Sequence, residues 1–288
     1  MDDNLPPVQA ATFAIPGYSI LAIEGADAVR FAHAQFMSDV AALADGHWHW
    51  SGWLTPKGRV IALFALVRFD AQSLWLLLPD VDARALKESL QRFVFRSKVA
   101  LAVHGGRHVS GAFVAPVSAN GAGIGLTNGV ELDMGTQESP RSLLIVEQGA
   151  PVDEAALARW NAFDIAHGLP HLRATQAELW TPQQLSLDRL HAYSVKKGCY
   201  PGQEIVARTH FLGQAKRGLA LFETTGAVAE GTEVRAGGQT LGSVVSVATH
   251  AAGSIVLAVL PLERDPVSKP IAGNLELHER ALLDGLSR

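Results

Sequence analysis

The stretch "HWHWSGWLTPKGRVIALFALVRF", residues 47 to 69, constrains the fold more than any other part of the chain. Two strand-like apolar runs flank "TPKG", whose Pro56 and Gly58 are strong turn formers, so the segment predicts a β-hairpin. On the first strand, alternation puts His47 and His49 on one face and Trp48 and Trp50 on the other. Two histidines with no third ligand at suitable spacing do not make a zinc site. The apolar runs "VIALFALV" and "LWLLLP" fall well short of the roughly 20 residues that a helix needs to cross a bilayer.

Around the hairpin the order reads β-α-β-β-β-α. "YSILAIEG" (18–25) is a strand that enters a helix in "ADAVRFAHAQF" (26–36), with Val29, Phe31, Ala32 and Phe36 on one face. "SLWLLLP" is a buried strand, and "DVDARALKESLQRFVF" an amphipathic helix with Asp80 or Asp82 near its start. Residues 104–140 are Gly-rich without clear periodicity. "RSLLIVE" (141–147) predicts a strand, residues 151–170 a helix begun near Pro151 and stopped by "HGLP", and 171–193 a long loop. After "LGQAKRG", the short runs "LALFETT", "TEVRAG", "QTLGSVVSVAT" and "SIVLAVLP" predict a small antiparallel β domain. A chain of 288 residues exceeds what one core usually serves. The expected division is an α+β region over 1–213, made of two subdomains, and a β domain over 214–288.

Composition narrows the class. Hydrophobic residues at 48% against 18% charged describe a globular protein rather than a disordered one. The single cysteine excludes an intrachain disulfide or a multi-cysteine metal site and fits a reducing compartment, so the cytoplasm is the expected location. The N-terminal "MDDNLPPVQAATFAIPGY" lacks the order of a secretory signal, and no membrane partner is expected. A net charge of -4 gives no general attraction to polyanions, so any such site is local. Lys196, Lys197, Arg208, His210, Lys216 and Arg217, offset only by Glu204, make 196–217 basic. That interval is either a dock for an anionic ligand (a phosphate, a polyglutamate tail, RNA) or a solvated face. Dinucleotide, Walker, zinc-protease and α/β-hydrolase motifs are absent from the sequence.

Cys199 lies in "VKKGCYPGQEIVAR" (195–208). Lys196 and Lys197 favour a thiolate, and so does a helix dipole if "PGQEIVAR" opens a helix with Pro201 at its first position. The other reading of a free cysteine is a small buried hydrophobe. Spacing alone leaves both open.

The motif "KKGCYPGQEIVAR" resembles the signature of the YgfZ family, K-G-C-[FY]-x-G-Q-E followed by Arg. "DAVRFAHAQFMSDV" (27–40), "LTPKGRV" (54–60), "WNAFDIAHGLP" (160–170) and "WTPQQLSLDRL" (180–190) are similar to further landmarks of that family, in family order. The resemblance implies the fold of the glycine-cleavage T-protein: interlocking α+β domains with a C-terminal antiparallel β-barrel domain. It also implies tetrahydrofolate as cofactor, iron-sulfur client or assembly proteins as partners, and an indirect link to tRNA through modifying enzymes. Carried over residue by residue, the signature is Lys197, Gly198, Cys199, Tyr200, Gly202, Gln203, Glu204 and Arg208. Cys199 is the candidate catalytic residue, and Tyr18, Trp160, Lys197, Gln203 and Arg208 are the candidate folate contacts. No metal ligands are implied.

Three departures separate the chain from its relatives. Pro201 stands where they commonly have Thr, and Ala166 where they often have Glu. Asp70 stands alone where the T-protein has paired acids. The last departure weighs against aminomethyl transfer and leaves open whether the chain is a folate-dependent transferase or a non-enzymatic scaffold.

Overall fold

A computed structural model describes residues 11–213, 215–250, 252–264 and 269–288. Most of the reading of the N-terminal segment therefore lies outside the described residues. Along the chain, β1 (Phe13–Ala14) and β2 (Ser19–Glu24) lead into α1 (Ala28–Gln35). Next come β3 (His47–Leu54), β4 (Val60–Arg68), β5 (Ser73–Leu78) and α2 (Ala83–Gln91). Then follow β6 (Ala100–Val103), β7 (His108–Ala112), β8 (Val130–Asp133), β9 (Ser142–Val146) and α3 (Glu154–Ala166). After a long irregular stretch with two short 3-10 turns, α4 (Gln203–Leu212) precedes β10 (Arg217–Thr224) and β11 (Glu233–Ala236). The chain ends with β12 (Gln239–His250), β13 (Gly253–Pro261), β14 (Ile271–Ala272), β15 (Leu275–Glu276) and β16 (His278–Arg280).

Three sheets result, and the architecture is α+β. The first has strand order β3-β4-β5-β2-β6, the second β1-β7-β9-β8. The third, β15-β14-β11-β12-β13-β10-β16, is a nearly closed antiparallel barrel that begins at Arg217.

The unbroken apolar run of β4 follows from its position. Ala62, Phe64 and Leu66 face a core shared with α1 and α2, while Val60, Leu63, Ala65 and Val67 face a second core. A strand buried on both faces needs no polar alternation. The second core joins all three units: it takes Trp48 and Trp50 from β3, Leu143 and Ile145 from β9, Trp160 and Ile165 from α3, and Leu221, Leu257 and Val259 from the barrel. This shared core packs the three sheets against one another.

Local signals explain the helix ends. Asp82 caps α2 by accepting from the backbone N–H groups of Arg84 and Ala85 at 2.9 and 3.0 Å, which leaves Asp80 free for another role. Asp153, two residues beyond Pro151, caps α3 through the Ala156 N–H at 2.9 Å. The Gly-rich interval 104–140 holds β7 and β8, both too short for period-2 alternation to register.

Candidate functional site

The cysteine loop is held by the residues around it, and it is built differently from a proline-started helix. α4 begins at Gln203 with Gly202 as its N-cap at φ +78°, so Pro201 belongs to the preceding turn and is not the first helical residue. The reason is a backbone contact: a Cβ on Gly202 would lie 2.6 Å from the Thr55 carbonyl oxygen and 2.7 Å from the Gly58 Cα. Gly58, at φ +70°, presents the same constraint against Ile205 at 2.9 Å. The "TPKG" turn and the "CYPG" turn thus lie back to back, and only glycine fits at either contact. Two motifs far apart in sequence form one structure.

Lys197 fixes the loop from inside. Its side chain is buried, and its ammonium donates to the carbonyl oxygens of His33, Phe36 (2.5 Å) and Ser38 (2.9 Å), around the C-terminal end of α1. Cations favour that end of a helix. Burial pulls the Lys197 ammonium down to about 8, with Asp39 opposing it. The ring of Tyr200 lies 4.8 Å from the same ammonium, and its hydroxyl donates to the Ser194 carbonyl at 3.0 Å. The Gln203 amide donates to the Lys197 carbonyl at 2.9 Å and closes the loop. Lys197 and Gln203 therefore spend their polar groups on the protein itself. Cys199 and Gly198 sit exposed at the crest, followed by exposed Glu204 and Arg208 on α4.

Tyr18 and Trp160 lie elsewhere, at a buried charged cluster where the three sheets meet. The Arg141 guanidinium, 1% exposed, is sandwiched between the rings of Trp160 (3.9 Å) and Phe163 (3.8 Å). It donates to Asp164 at 2.6 Å and to the carbonyls of Met134 and Trp160. His171 bridges the other Asp164 oxygen at 3.3 Å and Asp80 at 3.0 Å. The second Asp80 oxygen accepts from the Leu172 N–H at 2.9 Å. A bulge in β12 between Val244 and Ser246 aims the Ser246 hydroxyl at the His171 backbone, where it accepts from N–H and donates to C=O, both at 2.9 Å. Trp160 is 1% exposed, with Arg141 over its face and Phe13 edge-on at 5.9 Å. A pterin stacked on Trp160 would have to displace Arg141.

Burial pulls the His171 imidazole down, but Asp80 and Asp164 override this and push it up to about 10. Burial likewise pushes the Asp164 carboxyl up, and Arg141 with His171 holds it below the usual carboxylate range. Tyr18 is raised by burial and by the nearby Asp164 and Asp80. The sign of the His171 linkage is fixed: an imidazole raised in the folded state stabilises fully below its unfolded value of about 6.5 and loses that contribution as pH rises through about 10. The difference in unfolding free energy between wild type and His171→Gln is therefore expected to shrink steadily from pH 6 to pH 10 in urea titrations. A difference independent of pH would show that the charge plays no part.

On its opposite side, α3 faces the barrel across a cleft of about 450 Å³ lined by Glu154, Asn161, Arg173, Glu230, Val247 and Thr249, among others. Arg173 and Glu230 approach to 3.7 Å, and burial raises the Glu230 carboxyl while Arg173 lowers it. The sequence did not single out Asn161, Arg173, Glu230, Arg141, Asp164 or His171, and it offered Asp80 only as a helix-start candidate. Its one available signal was Asp164, a charge four residues after Trp160 on the same helix face. Cys199 does not line this cleft.

The remaining candidates have local roles. The Asp70 carboxylate accepts from the Gln72 N–H at 2.7 Å and closes the β4–β5 turn. His49 bonds Ser38 at 2.9 Å, and burial pulls its imidazole down to about 4. Among the described residues there is no group of three or more His, Cys, Asp or Glu arranged to hold a metal ion. No described helix is long and apolar enough to cross a membrane.

No family model matches the chain. It is 28% identical over 208 residues to an uncharacterized protein of Haemophilus influenzae, covering 72% of this chain and 71% of that protein. It is 26% identical over 228 residues to the tRNA-modifying protein YgfZ of Colwellia psychrerythraea, covering 70% of this chain and 68% of that protein. It is 27% identical over 241 residues to the protein of the same name from Vibrio vulnificus, covering 76% and 71%. Among solved structures, the glycine cleavage system aminomethyltransferase T of Bartonella henselae superposes with a TM-score of 0.73 at 14% identity, over 94% of this chain and 84% of that one.

Proposed function

We propose, for a chain that is a relative of the YgfZ proteins and has the glycine-cleavage T-protein fold, that it binds tetrahydrofolate and supports the assembly or repair of iron-sulfur proteins, tRNA-modifying enzymes among them. Cys199 is the reactive residue in this reading, and the cytoplasm is its place of work. The observation that carries the reading is the mounting of Cys199. One buried ammonium, one closing amide and two interlocked glycine turns hold a thiol at the surface. A cysteine serving only as a small hydrophobe has no need of such support.

The residues of the α3–barrel cleft fit a folate. A volume of about 450 Å³ lies in the range of roughly 300–1,000 Å³ usual for small-molecule sites. Glu230 offers a carboxylate to the amino and ring N–H groups of a pterin, the pairing that Ala166 cannot supply. Arg173 offers a guanidinium to the carboxylates of a glutamate tail. Trp160 then acts from behind the helix, by holding Arg141 in the Arg141–Asp164–His171 cluster that sets the position of α3, with Tyr18 buried beside the cluster's charges. Bound folate supplies a one-carbon carrier or a reducing pterin. The chain's own residues bind and orient it. Aminomethyl transfer is disfavoured because "VRFDAQSLWLLLP" carries Asp70 without the second acid of the T-protein's pair, and Asp70 accepts from the Gln72 N–H in its turn.

Equilibrium dialysis with tetrahydrofolate tests the cleft. Each of Glu230→Gln and Arg173→Ala removes a charged hydrogen bond, and each is expected to weaken binding about 10- to 100-fold. Wild-type affinity in both variants would remove folate from this cleft.

A further inference from the structure

Helix α4 leaves most of its surface open to solvent: Val206 is its one buried side chain. Ile205 is 36% exposed, Phe211 65% and Leu212 83%. Four cations lie on this helix and on the segments that adjoin it. Lys57 stands on the turn whose Gly58 backs onto Ile205, Lys196 precedes the cysteine, Arg208 lies on the helix one turn before Phe211, and Lys216 follows it. All four are exposed, and none takes part in an ion pair among the described residues. In a chain of net charge -4 this concentration is local. At the end of the helix two exposed flat rings, His210 and Phe211, lie 4.9 Å apart and nearly perpendicular.

We propose that this face docks a single-stranded nucleic acid. Lys57, Lys196, Arg208 and Lys216 follow the phosphates, and Phe211 with His210 supplies the platform on which a base stacks. An acidic protein would satisfy the cations, but adjacent exposed rings beside unpaired cations favour a ligand that carries both a π-face and a charge at each unit. The surface is separate from the folate cleft, and either assignment can fail while the other stands.

Fluorescence anisotropy of the full chain with a labelled 12-nucleotide oligouridylate tests the proposal. For four phosphate contacts, affinity is expected to fall about 50-fold between 50 and 200 mM KCl. Lys57→Glu with Lys216→Glu is expected to weaken binding at least about 10-fold at low salt and to flatten the salt dependence to about 7-fold. Phe211→Ala is expected to weaken binding about 10-fold and leave the salt dependence intact. Phe211 is exposed, so its removal does not disturb the core, and an unchanged melting temperature confirms this. The proposal is overturned if wild type does not bind at 50 mM KCl, or if both variants bind like wild type. It is also overturned if poly-glutamate displaces the oligonucleotide as well as unlabelled oligouridylate does, which would assign the face to an acidic protein.

Discussion

Replacing Arg141 with Met is expected to cost about 3–5 kcal/mol in unfolding free energy, the range for removing one partner of a buried charge pair. The guanidinium satisfies Asp164, the Met134 carbonyl and the Trp160 carbonyl together, and it fills the space between two aromatic rings. Without it, Asp164 keeps only His171, and burial pushes its carboxyl toward the neutral form. The double variant Arg141→Met, Asp164→Leu removes the uncompensated charge as well. It is expected to be less destabilised than the sum of the two single variants by more than about 1 kcal/mol, because the two side chains act as a unit. Urea titrations of the four proteins provide the measurement. Strict additivity would mean that the pair does not couple and that the cluster is not what joins α3 to the rest of the fold.

The second large effect is expected at Lys197. Lys197→Met takes the ammonium from the carbonyl oxygens of His33, Phe36 and Ser38, of which Ser38 keeps the Val40 N–H, and is expected to cost about 3 kcal/mol. The consequence for function is positional, since the loop that carries Cys199 loses its inner anchor and keeps the Gln203, Tyr200 and Ser194 hydrogen bonds and the glycine contacts. Limited proteolysis within 194–202 should accelerate in parallel. A loss below about 1 kcal/mol with unchanged proteolysis would show that the glycine turns and the remaining hydrogen bonds fix the loop without the ammonium.

Much of the fold was legible because its signals are local. The "TPKG" hairpin, the helix after "YSILAIEG" and the β-rich segment after "LGQAKRG" each rest on turn chemistry and periodicity within a few residues. The T-protein-like architecture came from the resemblance of the signature motifs, and the superposition bears it out. The strands in 104–140 were not legible, because β8 has four residues and its Glu131 points into a cap formed by the Val117, Ser118 and Ala119 N–H groups. α4 does not start at Pro201, the position the sequence offered for it. Proline suits a first helical position in general, yet here the approach of the "TPKG" turn demands a left-handed glycine one residue later. The charged cluster was hidden for a different reason. Asp80, Arg141, Asp164 and His171 come from widely separated segments, and only tertiary packing brings them within hydrogen-bonding distance.

The most direct test of the functional account is complementation of a strain that lacks the homologous protein, scored by the activity of an iron-sulfur tRNA-modifying enzyme. Cys199 is exposed, so Cys199→Ser leaves the fold intact. Wild type is expected to restore the enzyme, and Cys199→Ser at equal abundance is expected to fail. Equal rescue by the two would contradict the account and remove the thiol from the mechanism.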